Sequence, residues 1–486
     1  GRITEQTDVF GNVTAMTYDS CGRMDSITYP DGTTEKVSYN QQNQPTCVEN
    51  RDKTTALYTY DGRNNITSIT DENGNTSAYE YDEQDNITAF TDKNGAKWQY
   101  TYDSKNHLQE ASDCLGNRYQ YEHDAAGRLI SYTSPTGSAV AYTYSNEGSL
   151  LSMTDADGEV LYSYDANGSC TSITDRMGYK QQFTYNEAGQ LISVTDAMGA
   201  VHTFIYDDEG NLKSKKDALE YQESCQRNQW GSVTSYTDKN GNTTSYTFDD
   251  ADRLTVVRNA AGGELRYAYD IMGQVTAVTD EKGHNTSYLY DHAGNVTKVT
   301  DALDNTVTYT YDGNSNILSM TDEEGIVTEY SYDSGDRLLS ITREEESINF
   351  AYDELGRLIS VEDSCGHTET AGYDGDDRLT TYEDKEKNRT TYAYDSAGRI
   401  TAETAPNGAV TKYTYDKNGN CLAVEDALGH KTAYEYDANN RVTKVTDAAE
   451  NSVTYDYDAR GMLTAVTDAG GGKTVYEYDG SGNLVK

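Results

Sequence analysis

Proline is almost missing from this 486-residue chain: there are four, at positions 30, 45, 135 and 406, and none follows an aspartate. Strands can therefore run nearly anywhere, because proline is the residue most often excluded from a central strand. Positive charge is scarce as well. Lys and Arg number 39 against 81 Asp and Glu, for a formal net charge of −42. That balance argues against nucleic acid or an anionic membrane as a partner, since phosphate recognition relies on cationic side chains that displace counterions. No apolar run approaches the roughly 18 residues of a spanning helix, and no charged-then-apolar leader opens the sequence. The seven cysteines (Cys21, Cys47, Cys114, Cys170, Cys225, Cys365 and Cys421) are odd in number, widely spaced and without a CxxC pair. Neither a disulfide framework nor a zinc site is indicated. Leu, Ile, Val and Phe are sparse too, and with so large a net charge this is the compositional signature of disorder. Against that reading stand 43 tyrosines, a residue type that disordered chains lack.

The tyrosines are in register. A "YD" pair recurs with its first residue at 18, 39, 60, 81 and so on to 478, in 23 copies; 20 of the 22 intervals are 21 residues and two are 20. Such regularity marks a repeat architecture, in which no unit owns a private core and length no longer counts domains. The tyrosine slot is altered only at His123, Arg227 and Phe248, and its partner is Asn40, Ser145, Asn186 or Asn228 where it is not Asp. Each unit reads roughly YDxxGRLTxVTDxxGxxTxYx. Four residues after the tyrosine slot stands Gly, Asn or Asp in every copy except Ser315. These are the residues that accept a left-handed backbone at least cost, so a turn is expected there. A second turn is expected at "TDxxG", as in Thr70 to Gly74, where the Asp side chain can bond the backbone two residues ahead. Between turns lie about six residues rich in Thr, Val, Ile and Tyr, the composition of strands.

In "TSAYEYD", Tyr79 and Tyr81 are two apart and share a face, whereas Ile66 and Ile69 are three apart and have opposite parity. Either a bulge lies between those isoleucines or that strand uses both faces. A single unit cannot bury its own apolar face. Stacked neighbours can, by placing each tyrosine beside that of the next unit, so aromatic ladders replace an aliphatic core. Tyrosine suits a thin wall because its ring supplies area while its hydroxyl stays wet or finds a partner. The structural residues expected to carry this are Tyr60, Tyr81, Tyr102, Tyr269, Tyr290, Tyr311, Tyr394, Tyr415, Tyr436 and Tyr457. Cys170 and Cys421 occupy an aliphatic slot of the repeat and read as small core residues. The expected product is one all-β sheet of about 46 strands, at ~4.8 Å per strand some ~220 Å along the hydrogen-bonding direction. Pairing as antiparallel neighbours and a narrow parallel solenoid both remain open on the sequence alone.

Chemistry is harder to find. Carboxylates pair everywhere because two Asp-bearing turns recur in each unit, and a periodic arrangement is not a site; no catalytic residue, cofactor or metal ligand is assigned. Weak surface calcium binding by stacked Asp is conceivable, but the nine-residue calcium signature of β-solenoids is absent. His284, His367 and His430 share one repeat phase and read as exposed turn residues. No GxSxG, HExxH or phosphate-cradling loop stands out. The irregular stretches are 217–231, which loses both ladder tyrosines to Cys225 and Arg227, and 341–353, whose second turn loses its Gly and one residue.

The pattern, as "YDSCGR" at Tyr18, "YDELGR" at Tyr352 and "YDSAGR" at Tyr394, resembles the RHS or YD-repeat family, and the resemblance covers essentially the whole chain. It implies a spiralling antiparallel β-sheet that closes into a hollow shell, as in bacterial polymorphic toxins, the B and C components of insecticidal toxin complexes, and teneurins. In the bacterial members the shell encloses a variable C-terminal polypeptide, often toxic. The "DPxG"-type motif at which those shells self-cleave is not found, and none of its residues carries over. The first repeat starts at its fifth residue and the last stops at its ninth, so residues 1–486 are expected to be one array that continues both ways. The resemblance implies a noncatalytic scaffold, secreted or at a bacterial cell surface, that encapsulates or presents a toxin-like cargo from the same chain. The alternative is an extracellular adhesion or filament-forming module that contacts cells, carbohydrate or copies of itself.

Overall fold

The computed structural model describes residues 2–486 and is all β, with 46 strands in one antiparallel sheet and no helix among the described residues. The strand Thr76–Tyr81 pairs antiparallel with Ile87–Thr91, which pairs antiparallel with Lys97–Tyr102. The parallel solenoid is thereby excluded.

Turn chemistry explains the punctuation. In the first turn, Asp82 N–H donates to the Asn86 carbonyl at 3.0 Å, and Asp82 Oδ1 accepts the N–H groups of Gln84 and Asn86, both at 2.9 Å. The carboxylate thus occupies backbone donors that the bend leaves without strand partners. Four residues after the tyrosine slot φ is positive in every copy, and even Ser315 adopts 68°. The second turn repeats the scheme from Asp92, whose Oδ1 accepts Asn94 N–H at 2.9 Å and Ala96 N–H at 2.8 Å. The two 20-residue intervals arise here. Asp155 pairs directly with Gly158, and Arg343 with Glu346, so each loop is a two-residue hairpin and the deletion is absorbed without disturbing the next repeat.

The parity problem resolves as a bulge. Tyr58 faces Ile69 and Thr59 faces Ser68, but Tyr60 faces Ile66, so Thr67 has no opposite residue. Ile66 and Ile69 therefore share the tyrosine face. The same slip recurs at Tyr81, Tyr102, Tyr269, Tyr290 and Tyr415. On the reverse face the residue opposite the slip is small in most repeats, and these sites include the most buried of the chain: Ala89 and Ser172 are 3% exposed. No large side chain is fully buried among the described residues. With no second layer to form a core, cohesion falls to cross-strand pairs and hydrogen bonds.

The chain divides into two compact units, one made of residues through Arg118 together with Tyr246–Thr370, the other of Tyr119–Ser245 with Ala371–Lys486. Each unit therefore brings together two stretches that are distant in sequence.

Candidate functional site

All ten ladder tyrosines singled out from the sequence do the same thing. Each hydroxyl donates to a main-chain carbonyl 15 residues earlier: Tyr60 to Pro45 and Tyr81 to Ile66 at 2.8 Å, Tyr102 to Ile87 at 2.8 Å, Tyr269 to Leu254 at 2.6 Å, and Tyr290 to Val275 and Tyr311 to Val296 at 2.8 Å. Tyr394 reaches Leu379 at 2.6 Å, Tyr415 Ile400 at 2.7 Å, Tyr436 Cys421 at 2.8 Å and Tyr457 Val442 at 2.8 Å. The accepting carbonyl belongs to the residue beside the bulge, where the strand ladder is interrupted, so the phenol completes what the bulge leaves open. Burial holds the Tyr81 and Tyr102 phenols above their ordinary value, with neighbouring Tyr79 and Asp61, and Asp82, adding to it; they remain donors. The expected ring-beside-ring ladder needs correcting in one respect. Successive slot tyrosines lie on alternate strands, and Ile87 on the intervening strand faces Tyr81 in register, so the ladder alternates phenol and aliphatic. Replacing Tyr81 with Phe removes one hydrogen bond and leaves the ring, as Phe248 does naturally. The expected loss is about 1 kcal/mol, read as a severalfold drop in amide-exchange protection confined to Ile66–Thr70 and Thr76–Tyr81.

A second tie, which the sequence reading passed over, is the Arg of "GR". Arg399 Nε donates to Asp395 Oδ2 at 2.7 Å, Arg399 Nη1 to the Asp416 carbonyl at 3.2 Å, and the guanidinium lies 4.9 Å from the Tyr415 ring centroid. Arg23, Arg128, Arg253, Arg378 and Arg441 repeat this arrangement over Tyr39, Tyr144, Tyr269, Tyr394 and Tyr457. One planar cation thus joins its own turn, the next turn and the next ring. Its signal was present in the bare sequence, as an arginine recurring after the left-handed turn residue, whether Gly, Asp or Asn.

A third set of contacts joins distant chain. In the first unit Asn314 Nδ2 donates to Asp71 Oδ2 at 2.9 Å, Asn73 Nδ2 to Asp312 Oδ2 at 2.9 Å, and Lys93 Nζ lies 2.5 Å from Asp71 Oδ2 and 2.9 Å from Asp336 Oδ2. Burial alone would raise the Asp71 carboxyl, but Lys93, Asn314 and the Asn75 N–H bring it below its ordinary value. In the second unit Asn418 Nδ2 meets Asp175 Oδ2 and Asn439 Nδ2 meets Asp196 Oδ2, both at 2.7 Å, and Arg460 lies 4.9 Å from the Tyr221 ring centroid. Sequence offsets run from 239 to 243 residues, about eleven and a half repeats. Three of these contacts, at Asp71, Asp175 and Asp196, join the first residue of a second turn to an Asn three residues after a tyrosine slot. At the equivalent place where the turn begins with Ser134, the residue three after the slot is Asp376, and Ser134 Oγ donates to it at 2.9 Å. Close approach also constrains the backbone: a Cβ on Gly313 would lie 2.8 Å from the Glu72 carbonyl oxygen, and one on Gly480 2.6 Å from that of Lys239.

The stretch 217–231 keeps its strand and bulge, Gln222–Arg227 pairing with Val233–Thr237. The lost phenol is replaced by Cys225 Sγ, 3.2 Å from the Leu212 carbonyl, while Arg227 Nη1 donates to the Gly231 carbonyl at 2.8 Å. An open cleft lined by Asp207, Asn211, Arg227 and Trp230 results, with Trp230 65% exposed. Cys170 and Cys421 stand in the aliphatic slot facing Tyr164 and Tyr415, and all seven cysteines are free. His284, His367 and His430 are exposed on second turns, Nδ1 lying 2.9, 3.2 and 2.8 Å from Asp280, Asp363 and Asp426.

The family description "Teneurin YD-shell" matches residues 47–187, 171–303 and 263–385, and "RHS Repeat" matches residues 1–34, 373–410, 415–452, 436–473 and 457–486. The chain is similar to solved TcdB2-TccC3 structures. These are TcdB2-TccC3-Cdc42 (14% identity, 98% of this chain, 30% of that chain, TM-score 0.61), TcdB2-TccC3-TEV (15%, 97%, 30%, 0.61) and TcdB2-TccC3 without its hypervariable C-terminal region (15%, 97%, 30%, 0.52). At such identities the likeness is one of fold, and the chain spans about 30% of each solved chain. None of the curated proteins matches it. No helix among the described residues is long and apolar enough to cross a membrane.

Proposed function

This chain belongs to the YD-shell family, and from that premise we propose that residues 1–486 are a single array serving as a noncatalytic wall, secreted or at a bacterial cell surface, that encapsulates or presents a toxin-like polypeptide C-terminal to it. In this reading the ten slot tyrosines are structural, and the partner is the cargo of the same chain. The observation that carries it is the set of side-chain contacts at offsets of 239 to 243 residues, such as Asn314 on Asp71 and Asn439 on Asp196. A sheet that serves only as an extended surface has no need of them, whereas a barrier has, because they close turn against turn. Likeness to TcdB2-TccC3, one form of which lacks a hypervariable C-terminal region, supports the assignment of cargo to that end. The test is protease protection in the full-length gene product. The polypeptide following the array should survive a protease concentration that digests it when expressed alone. Equal digestion in both settings, or elongated particles in negative stain with nothing enclosed, overturns the reading.

A further inference from the structure

One turn differs from its counterparts in a way that neither the fold nor the proposed wall requires. At "DSCGH" the side chains of Asp363, Cys365 and His367 place a carboxylate oxygen, a thiol sulfur and an imidazole nitrogen within 4.8 Å of one another. The scaffold beneath them is the common second turn: Asp363 Oδ1 accepts the N–H groups of Cys365 and His367, both at 3.0 Å, Gly366 has φ 81°, and Gly366 N–H closes on the Asp363 carbonyl at 2.9 Å. The backbone geometry is therefore set before any ligand arrives. Asp280/His284 and Asp426/His430 show the same histidine on the same turn, but their middle residues are Lys282 and Leu428. Cys21 sits at the equivalent place in a first turn, between Asp19 and Arg23. Among the described residues, only the turn at 363–367 unites three unlike donors.

We propose that Asp363, Cys365 and His367 form a surface site for a divalent transition-metal ion of borderline softness, Zn²⁺ being the best match. A mixed thiolate, imidazole and carboxylate set selects such an ion over Ca²⁺ or Mg²⁺, which take oxygen ligands. The separations suit it. His367 Nδ1 and Asp363 Oδ2 are 3.2 Å apart, close to the ~3.3 Å edge of a tetrahedron whose Zn–N and Zn–O bonds are ~2.0–2.1 Å. The metal would enter between two atoms that now share a hydrogen bond, and a χ1 adjustment of exposed Cys365 supplies the third ligand. Binding converts the Cys365 thiol to a metal thiolate and releases its proton to solvent. Three protein ligands leave a fourth position for water or for a donor from another molecule.

The probe is Co²⁺ added to the reduced 486-residue protein, followed by Zn²⁺. One equivalent of Co²⁺ should produce a thiolate-to-cobalt charge-transfer band with tetrahedral visible transitions, and Zn²⁺ should abolish both. The band should vanish in Cys365→Ser and in Cys365→Leu, the latter reproducing the residue that Leu428 places on its own turn, and should be lost or reduced in His367→Gln. Cys21→Ser and His284→Gln should leave it unchanged. Because the turn is exposed and leucine already occurs there, a folding defect is not expected, and unchanged far-UV circular dichroism checks this. No band in the unaltered protein, a band that persists in Cys365→Ser, or one indifferent to His367→Gln would each overturn the proposal.

Discussion

Replacing Lys93 with methionine is expected to open the first unit along the line where its two chain stretches meet. Lys93 Nζ lies within salt-bridge distance of both Asp71 and Asp336, and the Asp71 side chain is only 8% exposed. Removing one partner of a buried pair costs about 3–5 kcal/mol, because the remaining charge stays desolvated. The donors that Asp71 keeps, Asn314 Nδ2 and the N–H groups of Asn73 and Asn75, and the partial exposure of Lys93, bring the expected loss to about 2 kcal/mol. A repeat array opens locally, so a single melting temperature is the wrong measure. Amide exchange should accelerate around Asp71–Asn75 and Asp312–Asp336 and stay unchanged near Asp175 or Asp196. Adding Asp71→Asn to the same protein should recover most of the protection, since the isolated charge is then gone. Uniform acceleration throughout the chain would contradict this account.

Acid should dismantle the whole array, and the sign follows from the turn carboxylates. Asp61 is lowered from its ordinary 3.8 first by the N–H of Asn65, Asp82 by the Asn86 side chain, and Asp301 by the Asn305 side chain. A carboxyl whose native value is depressed binds protons more readily in the unfolded chain. Its contribution is therefore complete above the unfolded value of 3.8 and is lost as pH falls from there through the lower native values. With such turns in nearly every repeat, ellipticity should hold to about pH 4 and then fall cooperatively. Relief of the repulsion that accompanies a net charge of −42 acts in the opposite direction at higher pH. The chain carries its own control. Asn40 and Asn186 cap the same turn through Oδ1, accepting from Gln42 and Ala188 at 2.9 and 3.0 Å. Converting Asp61 and Asp82 to Asn should keep those turns formed while making their amide exchange less sensitive to acid. If exchange at the altered turns still tracks pH as it does elsewhere, the carboxylates are not the source of the transition.

Much of the fold was legible because each repeat states its own geometry. The fourth residue after Tyr18, Tyr39 and their successors announced a left-handed backbone, and all 23 adopt one. The parity conflict of Ile66 and Ile69 already contained the bulge as one of two solutions. What stayed hidden was the use of the hydroxyl. Nothing in "YEYD" says that Tyr81 will reach the Ile66 carbonyl, since that depends on the ladder gap which the bulge creates. The meeting of Asp71 with Asn314 was less accessible still. It joins residues some 240 apart, a distance that no single repeat encodes; the paired exchange at Ser134 and Asp376 is a trace of it in the sequence. The 363–367 turn was passed over for a different reason. One thiol flanked two residues away on each side by carboxylate and imidazole carries no cysteine-pair spacing.

The reach of the two stapling side chains has a kinetic corollary. A phenol that grips a carbonyl 15 residues behind it, and a guanidinium that grips one 17 residues ahead, keep the contact order of nearly every interaction low. Each hairpin can dock as soon as it leaves the ribosome, with no wait for distant sequence. The lateral contacts, such as Asn314 on Asp71, Lys93 on Asp336 and Ser134 on Asp376, are the ones that demand that some 240 further residues exist. Growth should accordingly be vectorial and fast, with lateral locking as a separate later event; a nascent chain halted before residue 253, whose guanidinium lies 4.8 Å from the Phe10 ring centroid, would be fully sheeted yet still unlocked.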